Sequence, residues 1–468
     1  MTLDALHLEV PETHGENALP LADLNEQLLQ ARLLPQEHAL QAVLSLLFHL
    51  NRSVTTLLER QRALQSFCDE YRHYAAISPG ATPSSLFVRL CSELAVGFKR
   101  LLLQMFQGRQ PSKPHLAWCL YMAQHFLAQT LLRQYQLYQE PAPGLWRDSH
   151  LLYWIGERQQ CLDEHVAAAF QPLPACTLRG LYQQVLLLAL SNPFHLAEGE
   201  CLQLFGALAQ LAELPRLLPW EQDDEIEGPI VDLSEAQPCL DPTQLRDNNP
   251  LNLRRFELGA LLIALDEPAP LRSPGERQLL ERVQQHWQGQ KQRRHQRAEQ
   301  AQACNLIVGL PAVHAQLLEK RPAATPVQML DSSPGGTRLL CNPNQAQQLS
   351  VGQLVLLLTG SATPTLALVR WRHINAEGLH LGLRYLKGLP RPAWLRRAPS
   401  AQAHPGILQS TPTPGHGWHH GLWLPNEQFV EGENFWLQLV NSNSQTAMPL
   451  PAANLRSAEV SRHAMRLG

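Results

Sequence analysis

Charge is scarce in this chain: only 17% of its 468 residues are Asp, Glu, Lys or Arg, against about a quarter in ordinary soluble domains. The 38 Lys and Arg nearly balance the 41 Asp and Glu, giving a formal charge of -3. No whole-molecule field therefore draws the chain to nucleic acid or acidic lipid, and any basic site has to be local. Long apolar runs are missing too. Stretches such as Val185–Leu190 and Ala260–Leu265 fall far short of the ~18–20 residues of a membrane span. Residues 1–20 carry Asp4, Glu9, Glu12 and Glu16 with neither a basic n-region nor an apolar h-region, which does not look like a signal peptide and makes the cytoplasm the expected location. The nine cysteines stand singly, with no C-x-x-C pair. That pattern reads as reduced, mostly buried thiols and excludes a disulfide frame or a zinc site. Neither a G-x-S-x-G elbow nor a Walker A sequence occurs, so the chain is read as a non-enzyme.

What is present is length and leucine. A chain of this size exceeds one core, so two or three domains are expected. With 44% hydrophobic residues it is not a disordered chain. From residue 21 to about 220 apolar residues recur every three or four positions, and Leu outnumbers Val and Ile, the signature of amphipathic helices. The pattern predicts helices near 21–32, 36–50, 52–75, 83–108, 113–138, 146–169, 175–191 and 197–212, forming an all-α bundle or irregular array. Residues 1–20 are expected to be disordered or loosely packed. The texture changes with the acidic run Glu221, Asp223, Asp224, Glu225 and Glu227. Residues 221–290 read as an acidic linker with two helices, near 251–265 and 273–297. In the second, Ser273-Pro274-Gly275-Glu276 supplies an N-cap and a proline at the first helical position.

After Ala303 the pattern is mainly β, with strands expected at 304–309, 325–331, 337–341, 352–359, 364–373 and 378–386 and a short helix over 311–319. A Pro-rich loop spans 397–414, and shorter strands follow at 420–424, 434–440 and 455–460. The expected fold class is therefore α+β and multidomain: a helical domain, a small β-barrel over 291–396, and a β-rich C-terminal extension over 397–468.

Two short motifs sit at the start of the β half. Arg293, Arg294 and Arg297 form a basic cluster containing R-x-x-x-R, and Asp331-Ser332-Ser333-Pro334-Gly335-Gly336 contains D-x-S-x-x-G. Two guanidiniums four residues apart can converge on one ligand, binding phosphate as forks and stacking on flat bases. A carboxylate can accept hydrogen bonds from the edge of a guanine, a serine adds a short polar contact, and glycines let the backbone come close. The pair describes a site for a guanine nucleotide with more than one phosphate.

With a closing strand such as Gly382-Leu383-Arg384-Tyr385-Leu386 downstream, this combination resembles a PilZ domain over roughly residues 290–395. The resemblance implies a six-stranded antiparallel barrel that receives the bacterial second messenger cyclic di-GMP, with no further cofactor. It further implies that Arg293 and Arg297 hold phosphates, Arg294 being a third contact or merely exposed, while Asp331, Ser333, Gly335 and Gly336 line the base side. The stretch between Arg297 and Asp331 is longer than the family pattern, and its helical insert either reshapes the site or brings His314 to the ligand. The helical half would relay binding to a protein partner.

The plain alternatives are also legible. The arginines alone read as a solvated helix end, and Asp331–Gly336 alone as an Asx turn; only their pairing points to a ligand. Trp371 reads as barrel core rather than a flank of the nucleotide. His416-Gly417-Trp418-His419-His420 lacks Cys or carboxylate partners at metal spacing. The rival to a receptor is a helical scaffold whose degenerate barrel binds no nucleotide. A nucleic-acid adaptor lacks interleaved aromatics and a basic domain charge.

Overall fold

The computed structural model describes residues 7–77, 82–108, 111–167, 170, 174–221, 228–241, 245, 248–267, 273–288, 296–342, 344–345, 349–360, 363–413, 417–426, 428–440, 442, 444–457 and 459–465. The chain divides into two units. One is Met1–Pro193 with Gly199–Lys291, and the other is Phe194–Glu198 with Gln292–Gly468. None of the described helices is long and apolar enough to cross a membrane.

The first unit is mostly helical: α1 Leu21–Ala31, α2 Gln36–Arg52, α3 Leu57–Ile77, α4 Ser85–Gln107, α5 Lys113–Gln136, α6 Pro143–Arg158, α7 Leu178–Leu190 and α8 Glu200–Leu208. The central element is α5, which is buried all round: Leu116, Cys119, Phe126, Leu127 and Leu131 are enclosed on one side, Gln124, His125 and Gln129 on another. Two of the helix starts, those of α4 and α7, are capped by side chains. The Ser84 hydroxyl accepts from the Phe87 amide and Thr177 from the Gly180 amide, each satisfying a donor with no intrahelical partner.

Helix ends were less legible. The α6 pattern continues to 169, yet the helix stops at Arg158, because Gln160 turns left-handed at φ 52° and the Cys161 amide bonds back to the Gly156 carbonyl. This closure usually employs glycine; a glutamine leaves no signal.

Residues 7–20 are not loose. Leu8 is buried, Val54 and Ala18 exchange backbone bonds with Glu16 and Val54, and Lys99 reaches both the Glu9 carbonyl and Asp148. These partners lie far away in sequence, which is why composition alone misses them.

The expected linker is a folded part of the first unit. Strands β1 Arg216–Pro219, β2 Ile230–Asp232 and β3 Leu253–Glu257 make an antiparallel sheet in the order β1-β3-β2. The expected helix over 251–265 is thus a strand followed by the shorter α9 Gly259–Asp266. Leu253, paired with Asp232 of β2, and Phe256, paired with Leu217 of β1, are both buried, and pairing to distant partners overrides helix propensity. Of the acidic run only Glu221 is among the described residues. The last helix of the unit, α10 Pro274–Trp287, starts at the Ser273 cap but ends before the basic cluster.

In the second unit, β4 Ala298–Val308, α11 Leu310–Leu317, β5 Thr325–Ser333, β6 Gly336–Cys341, β7 Leu354–Leu358, β8 Thr365–Asn375 and β9 Gly378–Tyr385 succeed one another. The strands hydrogen-bond in the ring β4-β5-β6-β9-β8-β7, which closes into a barrel with β7 back on β4. Alternate residues fill its interior, among them Leu306, Met329, Leu339, Val369, Leu381 and Leu383. Outward-facing Leu354, Leu356, Leu366 and Leu368 are also buried, against α11 and a second sheet, which explains the unbroken apolar run of β7.

That second sheet consists of β10 Leu389–Arg396, β11 His404–Thr413, β12 Gly417–Pro425, β13 Asn434–Leu439, β14 Thr446–Pro449, β15 Ala453–Arg456 and β16 Val460–Met465. Their order is β14-β13-β10-β11-β12-β16-β15. The expected Pro-rich loop over 397–414 is therefore largely strand β11. Its prolines fit because each lies where the strand has one neighbour only. Pro405 pairs with β10 before β12 joins at Ile407, and Pro412 pairs with β12 beyond the last β10 partner, Ser410. A missing N–H costs little there.

Candidate functional site

The D-x-S-x-x-G motif occupies the end of β5, the tight turn to β6 and its first residue. Asp331 pairs with Glu299 of β4 on one side and with Arg338 of β6 on the other. Its Oδ1 accepts from the Arg338 amide at 3.0 Å, and the Thr337 hydroxyl donates to its carbonyl. The Ser333 hydroxyl donates to the Gly336 carbonyl at 3.1 Å, closing the turn. Gly336 sits against β9 so closely that a Cβ would lie 2.0 Å from the Leu383 carbonyl oxygen. Glycine is required there by packing, independently of any ligand.

Arg297, just before β4, donates from Nη1 to Asp331 at 2.9 and 3.2 Å. Arg338 Nε stands 3.4 Å from the same carboxylate. The second arginine of R-x-x-x-R thus meets the first residue of D-x-S-x-x-G. Arg293 and Arg294 lie outside the described residues.

A cavity of about 240 Å³ opens beside this pair. Arg297, Ser333, Gly335 and Gly336 line one side, and Arg370, Trp371, Gly382, Leu383 and Arg384 line the other. Of the expected site residues, these four stand together around one space, and Asp331 is tied to them through Arg297. His195, from the Phe194–Glu198 stretch of the same unit, completes the lining.

Trp371 is not barrel core. The register between β8 and β9 slips between Val369 and Trp371, leaving Arg370 as the extra residue of a bulge. Val369 points inward with Leu381 and Leu383. Strict alternation would send Trp371 inward as well; the slip places it opposite Gly382 on the outer face. A Cβ on Gly382 would lie 1.8 Å from the indole nitrogen, so the missing side chain makes room for the ring. The sequence carries only a faint sign of this, a glycine inside a strand.

Three arginines, Arg297, Arg370 and Arg384, line the cavity, and Arg297 is paired with Asp331. His314, by contrast, is not part of the site. It is buried on α11 with its ring 4.4 Å from Trp394, and burial depresses its pKa. His420 bonds to Ser410 at 2.9 Å, and no group of three metal-ligating side chains occurs among the described residues. All nine cysteines are free thiols, most of them buried.

Residues 22–222 match the family described as "Cyclic-di-GMP receptor FimW, N-terminal domain". The match spans α1 to α8 and β1, and the family is one of cyclic di-GMP receptors. No curated protein and no solved structure matches the chain.

Proposed function

We propose that this protein is a cytoplasmic cyclic di-GMP receptor whose nucleotide site is the cavity on the outer face of a PilZ-like barrel. Arg297 and Arg293 hold phosphates, Asp331 and Ser333 address the guanine edge, and Gly335 and Gly336 let the backbone approach the ligand. Arg294 adds charge. The observation that carries the reading is the meeting of Arg297 with Asp331, Ser333, Gly335 and Gly336 around one space, since these residues come from two motifs separated by more than thirty positions. The family matched by the helical half supports the same ligand independently of those motifs.

The cavity is smaller than the ~300–1,000 Å³ of drug-sized ligand sites. It receives one guanine and its adjoining phosphate. Ligand binding at the start of the β half rearranges the helical domain and so relays the signal to a protein partner. No reaction is involved.

The test is a calorimetric titration of the full chain with cyclic di-GMP, repeated with Arg293→Ala and Arg297→Ala. Binding in the wild type and its loss in both variants is expected. A ligand at about 100 times its dissociation constant stabilises the folded state by about 2.7 kcal/mol, so a melting scan provides a second readout. If the wild type gives neither heat nor stabilisation, the receptor reading is lost and the barrel is a contact module of a helical scaffold.

A further inference from the structure

The second unit includes a stretch from elsewhere in the chain. Phe194–Glu198 lies in sequence between α7 and α8 but belongs structurally with the barrel. Its neighbours on both sides, Pro193 and Gly199, belong to the helical unit. The stretch also falls inside the region matched by the receptor family, which contains the helices and none of the barrel strands.

The Phe194 ring packs on His373 of β8, centroid to centroid 4.7 Å, and Leu196 is buried. His373 is two residues beyond Trp371, on the same strand, just past the bulge that turns the indole outward. With Phe194 anchored there, His195 lines the cavity that Arg297, Trp371 and Arg384 also line. An imidazole in that position can hydrogen-bond a phosphate oxygen or a purine edge, or stack on a base.

We infer that Phe194–Glu198 is a sensing arm: the helical half supplies His195 as a ligand contact in the barrel's cavity, and nucleotide binding is transmitted through the arm into the end of α7 and the start of α8. The inference rests on the cavity being the nucleotide site. The arm is continuous with two helices and cannot move without pulling on both. The ligand class is a guanine nucleotide carrying phosphate, which offers both hydrogen-bond acceptors and a flat base to the ring.

The experiment uses the full chain with cyclic di-GMP as the probe. Affinity is measured by calorimetry for the wild type, His195→Ala, His195→Gln, Phe194→Ala and Arg297→Ala, and hydrogen exchange of the α7 and α8 amides is followed with and without ligand. His195→Ala is expected to weaken binding about 5- to 30-fold, as loss of one polar contact to a charged group does. His195→Gln, which keeps a hydrogen-bonding group, recovers part of that loss. Ligand slows exchange at the α7 end and the α8 start in the wild type, and this response is lost in Phe194→Ala, whose unliganded melting point reports its folding. Wild-type binding with His195→Ala at wild-type affinity, or with no ligand effect on α7 and α8, overturns the arm while leaving the receptor reading intact. No wild-type binding at all overturns the receptor reading itself, and the arm falls with it.

Discussion

Arg297 and Asp331 form an ion pair, Nη1 to Oδ1 at 2.9 Å, that ties the entry to the barrel's first strand to the turn after its second. The carboxylate also accepts the Arg338 amide, which holds its orientation independently of Arg297.

From this pair comes the first prediction. Arg297→Ala lowers cyclic di-GMP affinity by about tenfold or more, the loss expected for a charge-assisted contact. Asp331→Ala lowers it as well, although that variant releases Arg297 for phosphate. Calorimetric titration of both variants checks the assignment. Undiminished binding in Arg297→Ala would remove the arginine from the phosphate side.

Gly382 and Trp371 supply the second. A Cβ at Gly382 collides with the indole nitrogen, so Gly382→Ala pushes the ring out of place and reshapes the cavity. The expected stability cost is about 1–3 kcal/mol, typical of overpacking. Trp371→Ala removes the collision, so Gly382→Ala added to Trp371→Ala costs much less than it does alone. A double-mutant cycle by thermal melting measures that coupling; strict additivity of the two changes would refute it.

Acid sensitivity of the helical half is the third. Burial, reinforced by the charges of Arg72 and Arg133, drives His125 down to about 3, and burial drives His150 down to about 4, from an ordinary 6.5. The folded state therefore keeps both neutral while the unfolded chain takes up protons below about 6.5. Unfolding binds protons, so stability falls as pH drops from about 6.5 towards 4, by about 2 kcal/mol per histidine at pH 5. Neither ring nitrogen of His125 has a hydrogen-bond partner among the described residues, and the ring stacks on Phe170 at 4.0 Å. His125→Phe should raise the melting temperature and flatten the pH 5–7 dependence seen by helical circular dichroism. An unchanged slope would show that His125 titrates normally in the fold.

The fourth concerns the end of α6. Gln160 holds φ 52°, a left-handed conformation that glycine adopts without a Cβ penalty. Gln160→Gly is expected to stabilise the helical unit by about 0.5–1 kcal/mol after the added freedom of the unfolded chain is deducted. Thermal unfolding of the variant reads the change directly, and a lowered melting point would mean that the glutamine side chain contributes more than its backbone costs.

The parts of the fold legible in sequence are those governed by local chemistry. Ser273-Pro274 marks the start of α10, and the Leu spacing marks α2, α4 and α5. Short β-like segments between Pro, Gly and Ser breaks mark the barrel strands from β5 to β9 within one or two residues. The parts that were not legible depend on partners far away in the chain. Phe256 becomes a strand residue because Leu217 of β1 pairs with it and its amide bonds to the Pro229 carbonyl just before β2. Pro405 and Pro412 are tolerated in β11 because neighbouring strands end where they do. Trp371 leaves the core because one extra residue, Arg370, slips the register.

The site divides along the same line. By itself the sequence determined a leucine-rich helical half followed by a β half, and it placed R-x-x-x-R and D-x-S-x-x-G at their junction, because periodicity and short motifs are local properties of the chain. Only the tertiary structure decided that Trp371 and Arg384 share a cavity with Arg297, and that His195 joins them from between two helices. Strand register, bulges and the return of a distant loop are set by non-local pairing, for which a single sequence carries no local signal.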